Sequence, residues 1–63
     1  MYKDYMFEIL EGFNEGEEIL CEALSYNDAI NTLIYNYGFK REELKYLGAI
    51  SIEEGEMLGL DTY

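Results

Sequence analysis

The feature that most constrains the fold is a pair of alternating segments on either side of a glycine-rich turn. Residues 5–11 (YMFEILE) and 17–24 (EEILCEAL) change sides at every position, with the period of two that is typical of a β-strand. The turn between them contains Gly12, Asn14 and Gly16, which tolerate positive φ. The sequence therefore predicts a β-hairpin.

The two faces of this predicted hairpin differ in character. The face expected to form the core carries Tyr5, Phe7, Ile9, Ile19, Cys21 and Ala23. The other face carries the apolar residues Met6, Leu10, Leu20 and Leu24 among the carboxylates Glu8 and Glu22. These apolar side chains need a cover, and two are open. One is a partner protein or a second copy, and the other is the C-terminal segment with Met57, Leu58 and Leu60.

The main helix is predicted over residues 26–37. Ser25 and Asp28 form a capping-box-like start, in which the serine hydroxyl accepts a free backbone N–H and the acid lies at the positive end of the helix. Gly38 is expected to end the helix in the left-handed conformation. One stripe of the helix is apolar and is expected to face the sheet; it contains Ala29, Ile30, Leu33, Ile34 and Tyr37.

The last third of the chain predicts a strand and a short helix. Residues 44–50 (LKYLGAI) alternate again. Ser51 and Glu54 form a capping box for a helix over 52–58, which Gly59 would end.

The element order β-β-α-β-α predicts one small α+β domain spanning residues 1–63. Placing the third strand beside the first gives a three-stranded antiparallel sheet of order 2-1-3. The main helix then crosses one face of the sheet, and the short C-terminal helix follows the last strand.

The charge of the chain excludes one large class of functions. Fourteen acidic residues against four basic ones give a formal net charge of −10. Nucleic-acid binding draws much of its affinity from clustered lysine and arginine. We therefore expect no direct contact with nucleic acid.

Catalytic, metal and cofactor motifs are absent from the sequence. The chain contains no histidine and one cysteine, Cys21, so it can form no disulfide within itself and no structural zinc site. Adjacent carboxylates such as Glu17 and Glu18 diverge on a strand or helix, so they make no catalytic dyad. We predict no enzymatic activity, no catalytic residues, no metal and no cofactor, in a cytoplasmic protein that does not enter a membrane.

Two functional hypotheses from different classes remain. In the first, the chain is a protein-interaction or accessory module that binds a protein partner or itself, as a homodimer in the second case. Its candidate contact residues are Met6, Leu10, Leu20, Leu24, Tyr26 and Tyr35. Tyrosine is enriched at the centres of such interfaces.

In the second hypothesis the chain is an acidic decoy that imitates the phosphates of a nucleic acid and inhibits a DNA- or RNA-binding enzyme. Carboxylates concentrated on the predicted hairpin would steer it to a basic groove. The candidate acidic surface consists of Glu8, Glu11, Glu15, Glu17, Glu18 and Glu22.

The segments SYNDAINTLIYNYGF and SIEEGEMLGLDTY resemble parts of small acidic proteins without assigned function from bacteria, their phages and mobile elements. The resemblance covers most of the chain and carries no catalytic or binding motif. It implies a short accessory protein.

Overall fold

The chain forms three strands and two helices in the predicted order β-β-α-β-α. A computed structural model describes all residues from Met1 to Tyr63. The strands are β1 (Lys3–Ile9), β2 (Glu18–Ala23) and β3 (Leu44–Ile50), and the helices are α1 (Tyr26–Asn31) and α2 (Ile52–Leu58). A π-helical turn, Thr32–Asn36, continues α1, and a 3₁₀ turn, Arg41–Glu43, precedes β3.

The sheet has the predicted order β2-β1-β3, and both neighbouring pairs are antiparallel. Strand β1 ends at Ile9, earlier than predicted, because the hairpin closes there. The Ile9 N–H donates to the Glu17 carbonyl at 2.8 Å, and the Gly16 N–H donates to the Ile9 carbonyl at 2.7 Å. Gly12 and Gly16 have φ values of 96° and 89°, so the reversal uses the glycines that predicted it.

The main helix begins as predicted but does not stay α-helical. The Asp28 N–H donates to the Ser25 hydroxyl at 3.1 Å. After Asn31 the backbone widens into the π-helical turn, which adds a residue and rotates the residues that follow. The prediction that Tyr37 belongs to the core stripe is therefore wrong, since its side chain is exposed.

The core lies between α1 and one face of the sheet, as predicted. Its buried members come from β1, β2 and the main helix: Phe7, Ile9, Ile19, Cys21, Ala23, Ala29, Ile30 and Leu33. Ile34, Phe39, Leu44 and Tyr63 pack around this cluster, partly buried. The strand alternation and the helical stripe therefore converge on one core.

The second face of the sheet is covered by α2. Gly55 lies so close to β1 that a Cβ at this position would overlap the carboxylate of Asp4 and approach Leu20. Asp4, Leu20 and Gly55 are all buried. The C-terminal segment is thus the cover for this part of the face, through the backbone of Gly55.

Of the three residues expected to provide that cover, Leu60 is half-buried, but the other two are exposed. Met57 and Leu58 face solvent, and Met57 is 88% exposed. Because the glycine removes a side chain at the contact point, the helix backbone itself can approach the sheet.

The last residues of the chain add a short parallel pairing to β2, which the sequence did not predict. The Leu20 N–H donates to the Asp61 carbonyl at 2.9 Å, and the Tyr63 N–H donates to the Leu20 carbonyl at 2.8 Å. The Glu22 N–H donates to the Tyr63 carbonyl at 3.0 Å. We call residues 60–63 the tail.

Candidate protein-interaction surface

The two edges of the sheet are in different states. The β2 edge is paired with the tail, whereas β3 lies at the other end of the order β2-β1-β3 and pairs only with β1. An unpaired strand edge presents free N–H and C=O groups to another chain. The β3 edge is therefore the first candidate for an interaction surface.

The register shows which backbone groups of β3 point outward. The Leu10 N–H donates to the Glu43 carbonyl at 2.7 Å, and Glu8 pairs with Lys45. In an antiparallel ladder, alternate residues point to alternate sides, so the backbone groups of Tyr46 point away from β1. The Leu44 N–H fits this alternation, because it donates to the Arg41 carbonyl and not to β1.

A β-bulge shifts the alternation in the middle of β3. Met6 pairs with Gly48 and Phe7 with Tyr46, which leaves Leu47 as the extra residue. Gly48 has a φ of 134°, a conformation that a side chain would strain. Beyond the bulge, Ala49 takes the outward-pointing position that Tyr46 takes before it.

An aromatic cluster lies beside this edge on the α1 side of the sheet. Its members are Tyr5, Phe7, Tyr26 and Tyr46. The ring centroid of Tyr46 lies 4.8 Å from Tyr26, 5.5 Å from Phe7 and 6.4 Å from Tyr5. Only Phe7 is fully buried, and Tyr46 is 43% exposed. The cluster therefore offers accessible aromatic surface next to free backbone groups.

The β3 strand is less acidic than the hairpin formed by β1 and β2. Three of the four basic residues, Lys40, Arg41 and Lys45, precede or begin this strand, and residues 44–50 contain no carboxylate. In a chain with a net charge of −10, a strand without carboxylates repels another acidic molecule less than the carboxylate-rich hairpin does.

A shallow groove continues the edge at the C-terminal end of β3. It has a volume of about 630 Å³ and lies between the N-terminal residues and the β3–α2 connection. Met1, Tyr2, Ala49, Ile50 and Ile52 line it together with polar neighbours.

The predicted contact residues do not form one surface. The prediction that Leu20 is open to a partner is wrong, because it is fully buried beneath α2. Met6 is half-buried, and Tyr26 is half-buried within the aromatic cluster. Leu10, Leu24 and Tyr35 are exposed, Tyr35 by 79%.

These exposed residues are also far apart along the sheet. Leu10 follows β1 at the hairpin end, while Leu24 follows Ala23, which pairs with Lys3 at the opposite end. Of the predicted contact residues, only Tyr26 adjoins the β3 edge, through its contact with Tyr46. Tyr46 and Ala49 were missed, although the predicted strand order already placed their strand at an edge.

The predicted acidic residues are mostly accessible. Glu11, Glu15, Glu17, Glu18 and Glu22 are exposed, and Glu8 is half-buried. The hairpin register places Glu8 opposite Glu18 and Asp4 opposite Glu22, so two pairs of like charges face each other across β1 and β2. Directly opposed like charges are destabilising in a sheet.

Asp4 is a buried acid that the sequence analysis did not single out. Its side chain is 3% exposed, and its Oδ1 atom has no hydrogen-bond partner. Burial raises the pKa of this carboxyl, and the nearby carboxylates of Glu22 and Glu56 raise it further. No feature of the local sequence distinguishes Asp4, since its environment is made by Gly55, which is distant along the chain.

Cys21 is fully buried, and its thiol lies 3.8 Å from the Ala29 carbonyl as a weak donor. Desolvation raises the pKa of the thiol to about 11, with smaller contributions from Asp28 and Asp4. It is therefore protonated at neutral pH, the state in which a thiol is a poor nucleophile. No group of three or more cysteine, aspartate or glutamate side chains is arranged to hold a metal ion.

Comparison with known proteins yields no match. Neither a protein-family model, nor a curated protein, nor a solved structure is significantly similar to this chain. Neither helix has the length and apolar character needed to cross a membrane.

Proposed function

We propose that this chain is a small, non-enzymatic protein-interaction module that binds an extended segment of a protein partner along the β3 edge. The observation that carries the proposal is the contrast between the two edges of the sheet: the outer edge of β2 is paired with the tail, and the outer edge of β3 is unpaired. The proposed setting is the cytoplasm, in an accessory role of the kind that the resemblance implies.

Strand addition supplies both affinity and selectivity. Main-chain hydrogen bonds to the outward groups of Tyr46 and Ala49 would give affinity, and pockets for alternate side chains of the guest would give selectivity. On the α1 side those side chains would meet Tyr5 and Tyr46, which are accessible and close to the edge. Aromatic side chains bring a large contact area at low entropic cost.

A selection experiment tests this proposal with random peptides in place of a natural partner. The peptides are displayed on phage and selected on the immobilised protein, and those that bind are titrated into ¹⁵N-labelled protein. We expect the largest amide shifts at Tyr46 and Ala49. Failure to select any peptide, or shifts confined to α2 or the hairpin turn, would contradict the proposal.

Two substitutions of Ala49, one that removes its backbone N–H and one that keeps it, provide a matched control. Ala49→Pro removes an N–H that points away from β1, so it should abolish peptide binding and leave the β1–β3 ladder intact. Ala49→Val keeps the N–H and suits a strand, so binding should persist. Equal binding by both variants would exclude the β3 edge as the binding site.

The acidic decoy remains a second candidate, favoured by the like-charge pairs of the hairpin. Keeping Glu8 opposite Glu18 costs stability, which is a reason to consider a use for the charge. Reversing Glu15, Glu17 and Glu18 to lysine should then weaken binding to a basic DNA-binding protein at low salt. The matched control reverses three acids elsewhere, Glu42, Glu53 and Glu56. Equal losses in the two variants would indicate attraction by net charge alone.

A further inference from the structure

The charges around β3 are arranged in opposite signs at its two ends. Lys40 and Arg41 lie before the strand, Glu42 and Glu43 lie between them and its first residue, and Lys45 is its second residue, so residues 40–45 carry three basic and two acidic side chains. Glu53 and Glu54 follow its last residue in the first turn of α2, and both are exposed. Residues 40–45 therefore carry a net charge of +1, and the first turn of α2, just beyond the end of β3, carries a net charge of −2.

A strand with this polarity is complementary to an antiparallel copy of itself. Antiparallel pairing of two β3 edges brings the beginning of one strand beside the end of the other. About a two-fold axis between Leu47 and Gly48, Arg41 is opposite Glu54, one position beyond Glu53. The pairing therefore places a basic end beside an acidic end twice, once on each side of the two-fold axis.

The outward backbone groups also match under this symmetry. A two-fold axis between Leu47 and Gly48 places Tyr46 of each copy opposite Ala49 of the other. These are the two residues whose backbone groups point away from β1. The bulge separates them by three positions in both copies, so one register pairs both sites.

The rest of the fold limits this pairing to two copies. The other edge of each sheet is already paired with the tail through three hydrogen bonds of 2.8–3.0 Å. A closed pair is therefore expected, and not a fibre.

From these observations we infer that the partner bound by the β3 edge is a second copy of this chain, paired antiparallel about a two-fold axis near Leu47. The inference rests on the proposed function, because it uses the same edge. The inference identifies the partner as a second copy of this acidic chain, which pairs along a strand that carries no carboxylate.

The first test is the solution mass, measured by light scattering after size exclusion over a concentration series at low salt. We expect a dimer whose dissociation constant rises at least about tenfold in Ala49→Pro, since the symmetry removes two hydrogen bonds at once. Ala49→Val should remain dimeric. Circular dichroism and thermal unfolding of both variants separate loss of pairing from loss of fold.

A charge swap tests the antiparallel geometry. Arg41→Glu should weaken the dimer by placing an acid beside the acidic end of the other copy. Adding Glu53→Arg to the same chain should restore it, because each copy carries both changes and the attraction returns with its sign reversed. No recovery in the double variant would overturn the antiparallel arrangement.

A cross-link tests the position of the axis. Leu47 is exposed, so Leu47→Cys should form a disulfide-linked dimer under mild oxidation. Tyr35→Cys, on the π-helical turn, is the control and should remain monomeric. The native Cys21 is buried and protonated, so it should not react.

The outcomes separate the two proposals. A monomer at every concentration that still binds selected peptides at Tyr46 and Ala49 overturns self-pairing and leaves the interaction module standing. A monomer that binds no peptide at this edge overturns both. A dimer unaffected by Ala49→Pro and by Leu47→Cys oxidation places the self-contact elsewhere and also overturns the inference.

Discussion

The two edges of this sheet show how a very small protein can distribute its unpaired backbone groups. At the β2 edge, the tail pairs with Leu20 and Glu22, and the ring of Tyr63 packs against Tyr37 and Phe39, at 4.9 and 5.5 Å between centroids. At the β3 edge, no segment of the chain pairs with the outward backbone groups of Tyr46 and Ala49. One edge of the sheet is therefore closed by the fold, and the other remains available for pairing.

The closed edge and the covered face belong to one structural unit. Helix α2 lies on the sheet through Gly55, and the tail follows directly from that helix to β2. Displacing α2 would therefore also release the tail. The β3 edge has no such unit beside it, so the two edges can be perturbed separately.

The largest expected effect comes from opening the closed edge. Deleting residues 61–63 removes three backbone hydrogen bonds, worth about 3 kcal/mol together, and the partly buried ring of Tyr63. We expect urea unfolding to show a loss of that order. Light scattering should show species larger than a dimer, because both edges are then free. An unchanged midpoint and mass would contradict the closed-edge account.

The next largest effect tests whether α2 holds the tail in place. Gly55→Ala puts a methyl group into the Asp4 carboxylate, so α2 must move, at a cost of about 2 kcal/mol. Hydrogen exchange should accelerate at the Leu20 and Glu22 amides, which donate to the tail.

Removing the Asp4 side chain supplies the control for that substitution. In the double variant Asp4→Ala, Gly55→Ala the methyl group meets less resistance, so the two changes should be non-additive. Strict additivity would show that the contact between Asp4 and Gly55 does not limit the position of α2.

A smaller effect is expected from the charge of Asp4. Because burial raises the pKa of this carboxyl above its ordinary 3.8, the folded chain holds the proton to a higher pH than the unfolded chain does. The contribution of Asp4 to stability is thus fully present below that ordinary value and is lost as the pH rises through the folded pKa.

The variant Asp4→Asn should remove this dependence and stabilise the protein at neutral pH by on the order of 1 kcal/mol. Unfolding free energies of both proteins, measured from pH 3 to pH 8 in about half-unit steps, test this. A lower stability of Asp4→Asn at neutral pH would contradict this prediction, because it would mean that a partner group stabilises the buried carboxylate.

The smallest effect is expected at Tyr35, which belongs to neither edge. It is 79% exposed, so Tyr35→Ala should change the unfolding free energy by no more than about 0.5 kcal/mol. It should also leave the solution mass unchanged. A loss of self-association here would move the contact surface from β3 to the π-helical turn.

Much of this fold could be predicted because local and global signals agree. Alternation around Gly12 and Gly16 indicated the hairpin, and Ser25 and Ser51 marked the helix starts that the structure has. Placing the third strand beside the first then gave the order 2-1-3, which the structure has. At these positions a pattern of a few residues is enough to specify the structure.

The rest depended on contacts between distant segments. The spacing of the apolar residues along the main helix does not indicate the π-helical turn. The three paired residues of the tail are too few to show the period of a strand. From helix propensity alone, Gly55 is only an unfavourable residue within a helix, although the close approach to Asp4 requires it. Because the pairing of the tail with β2 was not predicted, the sequence could not show which edge of the sheet is open.

The most direct test of the central claim is amide hydrogen exchange, followed by NMR at two protein concentrations. We predict slow exchange at Leu20 and Glu22 at both concentrations, because their amides donate to the tail. The Tyr46 and Ala49 amides should exchange rapidly in dilute protein and become protected in concentrated protein. Protection at those two amides in dilute protein, or rapid exchange at Leu20 and Glu22, would contradict the account of one closed edge and one open edge.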